Sequence, residues 1–473
     1  MNIPSSQYLK WLLAHPVYLL LFLMILWMSP VHGQNMDGNL RISTFDMDVT
    51  PPVDRDFLTY NKQVGTWDLG LRAKGVVIRG AGAPIVLCAI DWIAISNEGM
   101  DAFKGSLAEA VGTTPERVSV NVLHQHDAPW FDLGAEEQLL AVGTDPASYT
   151  TVNFDGSFGR EVLYELRNTV RRALEHSTPV NKIGFGEAEV FKVASNRNIY
   201  DENGMVRATR YTATKDPELR AEPEGVIDPM VSVVSFWNDD DPVAVMSFYA
   251  THPQSYYLTG IPNPDFPGVA RFFRQLAVPQ ALHIHFTGAG GNIGAGKYND
   301  GSKENRLILA ERLADGMKRA WEATEIQDIP SEGLVWEVEK VSLPVGQHLY
   351  KIRDEINDND SMLINNNHLA RKLAFLDRME HGKKIDVGML KAGDVRILFM
   401  PGELFVEYQL AAKAERPDLH VAMSAYGDLG PGYIGTTAQY SKGGYEVSDR
   451  ASNVDPSVEP VLMKAIMKLL NKP

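Results

Sequence analysis

Cysteine is almost absent from this chain of 473 residues, in which Cys88 is the only one. A single thiol forms no disulfide within the chain, so the core must hold the fold without covalent bridges. Cys88 lies in the apolar run from Ile85 to Ile90, and no activating pattern surrounds it. We therefore predict a small buried filler rather than a reactive thiol.

An excess of positive charge is also missing, because the formal net charge is −15 and the isoelectric point is near 5.3. Such a surface repels phosphate backbones, so we predict no nucleic-acid partner. From Asn35 onward the sequence lacks low-complexity linkers, repeats and long runs of charge. Its composition, with 44% hydrophobic and 22% charged residues, is that of an ordinary globular protein. We predict a single large domain over residues 34–473.

The longest apolar run lies near the N-terminus. Lys10 precedes it, Val17 to Met28 form the apolar stretch, and Ser29 to Gly33 offer small residues. This order is typical of a secretory signal peptide, which we predict over residues 1–33 with cleavage near Gly33. The alternative is an uncleaved anchor, for which the run is short beside the roughly 20 residues of a membrane-spanning helix. Both interpretations place the body of the protein outside the cytoplasm, either secreted or periplasmic.

Short apolar runs of strand length recur along the rest of the chain, and helical patterns lie between several of them. Hydrophobic spacing predicts helices over Glu161 to Leu174, Leu307 to Trp321 and Val458 to Leu470. The short polar connection from Trp237 to Pro242 predicts a hairpin, so the sheet should be mixed. The polar, Asn-rich stretch from Asp354 to Asn367 is typical of a surface loop. We predict an α/β fold with a mixed β-sheet core flanked by helices. The predicted strands are Val76 to Ile78, Ile85 to Ile90, Val118 to Leu123, Val231 to Phe236, Val243 to Phe248, Leu282 to Phe286, Val395 to Met400 and Leu419 to Met423.

The most informative segment carries His124, His126 and Asp127 directly after the apolar run from Val118 to Val122. Two imidazoles and a carboxylate thus lie within four residues at the end of a buried strand. Histidine is the commonest metal ligand, and aspartate is a usual partner of a ligand imidazole. Strand ends are also where rigid scaffolds present their chemistry. His124 is therefore our first candidate for a metal ligand.

Several further segments place polar residues or glycines after apolar runs, and each has an ordinary structural explanation. A histidine at a strand end can be a structural imidazole, and a glutamate can complement a helix dipole. The glycine cluster lacks the Lys-Ser/Thr of a phosphate-binding loop. His283 and His285 share one strand face, where we expect packing rather than chelation. Taken together, two histidines, one glutamate and one more oxygen donor on separate elements are the parts of an open catalytic zinc site. The segments are those around Arg197, His252, Gly291 to Gly294, Glu403 and Tyr433.

The order of these motifs resembles the neutral, non-lysosomal ceramidase family. That family has a His-x-His segment, an Asn-Arg segment, a second His, a Gly-rich loop, Pro-Gly-Glu and Tyr-x-x-Thr with a later Tyr-Glu. The resemblance spans roughly residues 42–451, and the order of the motifs is more specific than any one of them. The matching residues are His124-Gln125-His126, Asn196-Arg197, His252, Gly291-Asn292-Ile293-Gly294, Pro401-Gly402-Glu403, Tyr433-Ile434-Gly435-Thr436 and Tyr445-Glu446.

The resemblance implies a role for each matching side chain. By it, His126 and Arg197 would face the substrate amide or its oxyanion. Either Asp127 or Asp91 could orient a ligand imidazole or act as base, and the sequence does not choose between them. The implied substrate is a small-molecule or lipid amide, with contact to a membrane surface through that substrate. The implied Zn²⁺ ligands are His124, His252, Glu403 and Tyr433.

Two departures from the family pattern bear on activity. The family's loop carries a serine held to be catalytic, and Gly294 stands at that position here, so a serine nucleophile is excluded there. The stretch after Glu446 has room for one helix, so the resemblance implies the catalytic domain without the β-sandwich of longer members. Our leading hypothesis is an exported zinc-dependent hydrolase that cleaves an amide bond by metal-activated water. The alternatives are a non-catalytic binding protein on this scaffold and a metallohydrolase of another bond, such as an ester.

Overall fold

A computed structural model describes residues 39–53, 57–58, 62–144, 156–364 and 366–472. The strands, in chain order, are β1 Arg41–Asp48, β2 Phe57–Leu58, β3 Lys62–Gln63, β4 Arg72–Arg79, β5 Ile85–Ile90, β6 Ala94–Ile95, β7 Val118–Val122, β8 Trp130–Phe131, β9 Thr178–Pro179, β10 Lys182–Glu189, β11 Ser195–Asn196 and β12 Asn198–Tyr200. They continue with β13 Val206–Thr209, β14 Met230–Asn238, β15 Asp241–Tyr249, β16 Leu282–Thr287, β17 Ile293–Gly294, β18 Glu325–Asp328, β19 Leu334–Val341, β20 Ile385–Ala392, β21 Val395–Phe399, β22 Glu403–Leu404, β23 His420–Ser424 and β24 Tyr433–Ile434.

Helices alternate with these strands. They are α1 Glu98–Val111, α2 Leu133–Ala141, α3 Ser157–Ala173, α4 Pro217–Ala221, α5 Asp265–Ala277, α6 Glu304–Glu322, α7 Gln347–Asp358, α8 Asn367–Glu380, α9 Val406–Glu415, α10 Thr437–Lys442 and α11 Val458–Leu470. Short 3-10 turns span Pro115–Arg117, Ser331–Gly333 and Asp360–Met362. Within the described residues, no helix combines the length and apolar character needed to cross a membrane.

Most of the longer strands form three sheets, and each sheet contains the same supersecondary unit. The strand orders are β7-β5-β4-β1-β9, β16-β15-β14-β10-β18 and β19-β20-β21-β23. In each unit, three antiparallel strands are followed by a helix and a fourth strand that runs parallel to the third. The helices are α1, α5 and α9. Because the strands of a parallel pair end at the same edge, each sheet presents two chain segments side by side there.

The three sheets share one apolar core. Leu87 from the first sheet, Phe286 from the second and Phe399 from the third belong to the same buried cluster. The rings of Phe286 and Phe399 meet edge to face, with centroids 5.8 Å apart. Strand β5 is buried along its whole length, as expected for a strand covered on both faces. This common core fixes the three strand edges relative to one another.

The predicted α/β fold with a mixed sheet core is confirmed, and residues Leu40–Pro473 form one compact unit. Each predicted strand coincides with an observed one to within a few residues, and β14 and β15 form the predicted hairpin. The surface loop predicted from Asp354 to Asn367 is confirmed only in its central part, because α7 extends to Asp358 and α8 begins at Asn367. Ile356 is buried on one side of α7, which the polar composition of the segment does not indicate. The predicted signal peptide, residues 1–33, lies outside the described residues.

Candidate metal centre

One candidate ligand comes from each of the three sheets. His124 follows β7, His252 follows β15, and Glu403 follows β21 after a Pro-Gly turn. The main-chain nitrogen of His124 donates to the carbonyl of Trp92 at 2.9 Å, which ties it to the segment after β5. The hydroxyl of Thr287 donates to the carbonyl of Leu123 at 2.8 Å, which ties the ends of β16 and β7 together. The three strand edges therefore meet at one point.

Glu403 lies at the centre of this point. Its Oε2 atom is 3.1 Å from Nε2 of His124 and 3.1 Å from Nε2 of His252. Strands β22 and β24 pair in parallel and place Tyr433 beside Glu403. The phenol oxygen of Tyr433 is 3.1 Å from Nε2 of His252. The structure thus brings together all four side chains that the sequence resemblance implied as ligands.

Backbone carbonyls fix the tautomers of both imidazoles. Nδ1 of His124 is 2.7 Å from the carbonyl oxygen of Ile93, and Nδ1 of His252 is 2.7 Å from that of Gly290. A carbonyl oxygen only accepts, so each Nδ1 must carry the hydrogen. Each Nε2 then presents a lone pair toward Glu403 when the ring is neutral. Metal-ligating histidines are oriented in this way by the partner of their other nitrogen.

The protonation states of the side chains at this point suit a bound cation. Burial on its own would raise the pKa of the Glu403 carboxyl, but the neighbouring imidazoles of His124 and His252 lower it below its ordinary value. Burial lowers the pKa of His252, which favours the neutral ring. The proton of Tyr433 can satisfy His252, whereas a neutral His124 would present its Nε2 lone pair to the carboxylate, so that two acceptors would face each other. A divalent ion between them would satisfy both, so these residues fit a metal site.

Backbone strain accompanies this geometry. His124 has φ 73° and Tyr426 has φ 59°, values in the left-handed region that non-glycine residues rarely adopt. Both residues follow a strand end, and their rings stack with centroids 4.6 Å apart. The Tyr426 hydroxyl is 3.3 Å from Nδ1 of His252. Strain of this kind persists where the surrounding structure enforces it, which is common at functional sites. Tyr426 could not be identified from the sequence, because a tyrosine after a strand is ordinary.

His126 stands beside the two candidate ligands. The nitrogen atoms that His124, His126 and His252 could offer lie within 4.8 Å of one another, so this group could hold a metal ion. The Gln254 amide donates to Nδ1 of His126 at 2.7 Å, and the Thr212 hydroxyl donates to the Gln254 oxygen. In a neutral ring, Nε2 of His126 then carries the hydrogen and acts as a donor. Burial lowers the pKa of His126 well below its usual value, which keeps the ring neutral.

Arg197 lies behind Tyr433 rather than at the cavity surface. Its guanidinium donates to the Tyr433 oxygen at 3.0 Å, and its Nε is 3.1 Å from Oε1 of the buried Glu446. Burial raises the pKa of the Tyr433 phenol, and the positive charge of Arg197 opposes that rise. The contacts of Arg197 are therefore those of a residue that positions Tyr433. The resemblance implied that Arg197 would contact the substrate oxyanion directly, and these contacts do not show that arrangement.

Neither candidate aspartate orients a ligand imidazole. Both carboxylate oxygens of Asp127 accept from Thr259, at 3.1 Å from its nitrogen and 2.7 Å from its hydroxyl. Asp91 is fully buried in a two-pronged ion pair with Arg271, at 2.8 and 2.7 Å. Asp127 thus holds a loop and Asp91 holds a helix to a strand. We correct the orienting role predicted for either aspartate, since the carbonyls of Ile93 and Gly290 take it, and the alternative role as base stays a prediction.

The glycine-rich loop lies against the ligand segments. A Cβ added to Gly291 would lie 2.3 Å from the carbonyl oxygen of Glu403, so only glycine fits there. At Gly294 a Cβ would lie 3.4 Å from the Tyr211 carbonyl oxygen and 3.5 Å from Cγ of Arg197, at contact distance. Packing therefore leaves room for a small side chain at the position where the family has its serine. His283 and His285 lie away from this loop on β16, and His285 bonds to Ser247 at 2.8 Å.

A cavity of about 650 Å³ opens at the candidate metal centre. Its lining includes His124, His126, Glu403 and Tyr433. Other parts of the lining come from Trp130 of β8, from the first turns of α8 and from the segment after α10. Sequence reasoning did not identify these wall segments, because they are distant in the chain from the ligand motifs. The volume suffices for a small polar molecule or a lipid head group.

Comparison with known proteins shows a likeness at the level of fold. The crystal structure of neutral ceramidase from Pseudomonas aeruginosa superimposes with a TM-score of 0.65 and 16% sequence identity, covering 91% of this chain and 74% of that one. A structure described as ceramidase complexed with C2 gives a TM-score of 0.65 and 15% identity, with coverage of 91% and 75%. Searches of family models and of curated protein sequences found no match.

The fold and the His-rich site together define a class: an α/β protein with mixed sheets and a buried group of residues able to hold a metal ion. More specifically, the chain has the fold of neutral ceramidase, and the resemblance suggested by its motifs is confirmed at the level of fold.

Proposed function

We propose that this protein is an exported, zinc-dependent hydrolase that cleaves the amide bond of an N-acyl substrate. The observation that carries the proposal is the convergence of His124, His252 and Glu403 on one point, each from a different sheet, with distances of 3.1 Å from the Glu403 oxygen to both Nε2 atoms. The ceramidase fold supports the amide substrate, since the related structures bear that name. Contact with a membrane surface, where a lipid amide would be met, belongs to the same proposal.

The residues that would hold zinc are His124, His252, Glu403 and Tyr433. Nitrogen and oxygen donors of this kind suit zinc, and the tautomers described above leave both Nε2 lone pairs available. When bound, zinc supplies Lewis acidity and makes hydroxide available near neutral pH. The buried Arg197 would keep the Tyr433 oxygen in place through its 3.0 Å hydrogen bond.

The chain itself would contribute a hydrogen-bond donor for the reacting carbonyl. His126 lines the cavity, and its Nδ1 accepts from Gln254, so Nε2 carries the hydrogen. A donor held in place before the reaction stabilises the charge that develops on the carbonyl oxygen. Thr212 holds the Gln254 amide in the orientation that this requires. His126 is therefore our candidate for the oxyanion donor.

A binding protein on the same scaffold is the second candidate, and Gly294 favours it because the serine of the family is missing. An esterase activity is the third. Turnover of an amide by the zinc-loaded protein rejects the binding protein. Comparing the rates at which the protein hydrolyses an N-acyl amide and the ester of the same acid, with leaving groups of the same carbon skeleton, separates amidase from esterase.

The export proposal is tested by sequencing the N-terminus of the secreted or periplasmic protein, which should begin after Gly33.

Metal analysis with matched variants tests the main proposal. We expect about one zinc per wild-type chain, and hydrolysis of an N-acyl amide that a chelator abolishes and zinc restores. His252→Ala should lose both zinc and hydrolysis. His176→Ala is the control, because His176 is exposed and lies outside the cavity. Folded wild-type protein that binds no divalent metal would overturn the proposal.

A further inference from the structure

The cavity at the candidate metal centre has a cationic wall, which we define as Arg371, Lys372 and Arg450. Arg371 and Lys372 lie in the second turn of α8, and Arg450 lies in the segment between α10 and α11. Two distant parts of the chain thus bring three permanent or titratable positive charges to one cavity. This contrasts with the chain as a whole, whose net charge is −15.

Each side chain of the cationic wall is held differently. The guanidinium of Arg371 stacks on Trp130, 3.6 Å from the ring centroid. Lys372 is buried, and its Nζ donates to the carbonyl oxygen of Asp449 at 2.9 Å and to Asn453 Oδ1 at 2.7 Å. Arg450 is exposed at the rim. Two of the three cations are therefore fixed in place, which lowers the entropy lost on binding a ligand.

Carboxylates are few in the lining of this cavity. Among the described residues that line it, Glu403 is the one carboxylate, and it already faces two imidazoles. Asp449 borders the wall, but its side chain is 84% exposed and lies 3.4 Å from His348. The lining therefore has more positive than negative charge, which attracts an anion.

The rest of the lining is polar. Asn97, Asn366, Asn367 and Asn453 contribute side-chain amides to the same cavity. The amides of Asn97, Asn366 and Asn453 already donate to the Asp132 carboxylate, the Met362 carbonyl and the Gly430 carbonyl. The cationic wall, rather than these amides, is therefore the part of the lining that selects for a negatively charged group.

We propose that the substrate of this hydrolase carries an anionic group beside its scissile amide, and that Arg371, Lys372 and Arg450 bind that group. The inference rests on the proposed function and narrows its substrate class to anionic N-acyl compounds. A neutral ceramide-type head group would not use the wall. Carboxylate, sulfonate and phosphate groups all present anionic oxygens that this wall could bind. The experiment below determines which of them the protein prefers.

A matched substrate series tests the inference. The probes are N-octanoyl derivatives of glycine, taurine, O-phosphoethanolamine and ethanolamine, which share one acyl chain and differ in the charged group. We expect kcat/KM to be about 10- to 100-fold higher for at least one anionic probe than for the neutral ethanolamide. The best probe identifies carboxylate, sulfonate or phosphate as the source. The preference should shrink as ionic strength rises.

Variants of the cationic wall localise the effect. Arg450→Glu reverses an exposed charge without disturbing the core, and we expect it to lower the ratio of kcat/KM for the anionic probe to kcat/KM for the neutral probe. Lys372→Met removes a buried cation and should act in the same direction. Lys464→Met is the control, because Lys464 is exposed on α11 and lies outside the cavity lining.

Calorimetric binding separates failure of this inference from failure of the proposed function. Glu403→Gln, which should not turn over, is titrated with N-octanoylglycine and with the ethanolamide. Hydrolysis without anionic preference overturns the inference and leaves the proposed function standing. Selective anion binding that Arg450→Glu weakens, without hydrolysis of any probe by the wild type, supports the wall and overturns the hydrolase. If neither hydrolysis nor selective binding occurs, both are overturned.

Discussion

Asp91 and Glu403 are two buried carboxylates that lie after equivalent strands, β5 and β21, of two of the repeated units. Asp91 is neutralised by Arg271 in a two-pronged ion pair at 2.8 and 2.7 Å. Glu403 faces instead two imidazole nitrogens that carry lone pairs, each 3.1 Å away. The first carboxylate has its counter-ion within the chain. The second has partners that can share a metal ion with it.

The comparison distinguishes a buried carboxylate with a structural role, Asp91, from a buried carboxylate suited to bind a metal ion, Glu403. A buried charge must be paired or coordinated, because leaving it alone costs several kcal/mol. At Asp91 the chain supplies a guanidinium, and the result is a fixed contact between α5 and the first sheet. At Glu403 the chain supplies acceptors, so the charge balance depends on something that binds. The first two predictions below test the two sides of this contrast, and the next two concern His126 and Lys372, which line the same cavity as Glu403.

The largest effect should come from removing the charge of Glu403. We expect Glu403→Gln to lose zinc and to slow hydrolysis by about 10⁴-fold or more, since enzymes exceed uncatalysed reactions by about 10⁶-fold at least. Its thermal stability should equal or exceed that of the metal-free wild type, because a buried charge without a counter-ion has been removed. Metal analysis, kinetics and a melting curve measure the three quantities. Retention of full zinc content by this variant would contradict the contrast.

Breaking the Asp91 pair should act on stability instead. Arg271→Met leaves the carboxylate buried and unpaired, so we expect the free energy of unfolding to fall by about 3–5 kcal/mol. The double variant Asp91→Leu with Arg271→Met should recover most of this loss. Urea titration measures both, and zinc content per folded chain should be unchanged. A single variant as stable as wild type would show that the pair does not have this role.

A smaller effect is expected at the partner of His126. Gln254→Leu removes the donor to Nδ1, so the proton of the ring is no longer held on Nε2. We expect kcat to fall by about 10- to 100-fold, a typical cost of losing an outer partner at such a site. Zinc content should be retained, which distinguishes this variant from Glu403→Gln. A variant that lost zinc instead would indicate that His126 acts as a ligand.

The smallest effect concerns Lys372 and pH. Burial lowers the pKa of Lys372 to about 8, and Asp449 opposes that shift. Nearby His348 and His368 have pKa values lowered by burial, that of His368 to about 4, so Lys372 is the group expected to lose charge as pH rises through 8. KM for N-octanoylglycine should then rise by about 2- to 5-fold, because Arg371 and Arg450 keep their charge. KM for the neutral ethanolamide should not follow this profile.

Sequence patterns were sufficient for the strands and for the set of candidate ligands. The strand β5 could be read from a continuous apolar run, and β7 from a similar run before His124. The order of short motifs also named His252 and Glu403, because side chains with metal chemistry follow strand ends. The repeated unit of three antiparallel strands, helix and parallel strand was not predictable, since it is a repeat of topology without a repeat of residues.

Contacts made by backbone atoms and by ordinary side chains could not be predicted. The carbonyls of Ile93 and Gly290 carry no sequence signature, although they set the tautomers of both imidazoles. Asp127 looked like the partner of a neighbouring histidine, but the bend at residues 126–128 directs it toward Thr259. Arg197 was expected at the substrate, and the fold places Tyr433 in front of it. Short-range patterns do not contain these long-range choices.

The most direct test is anomalous diffraction at the zinc edge from crystals of the zinc-loaded protein. We expect one strong peak at the point where the three sheets meet, about 2.0–2.3 Å from Nε2 of His124, from Nε2 of His252 and from the Glu403 carboxylate. Well-ordered His124, His252 and Glu403 side chains without a peak between them would contradict the assignment of a metal centre.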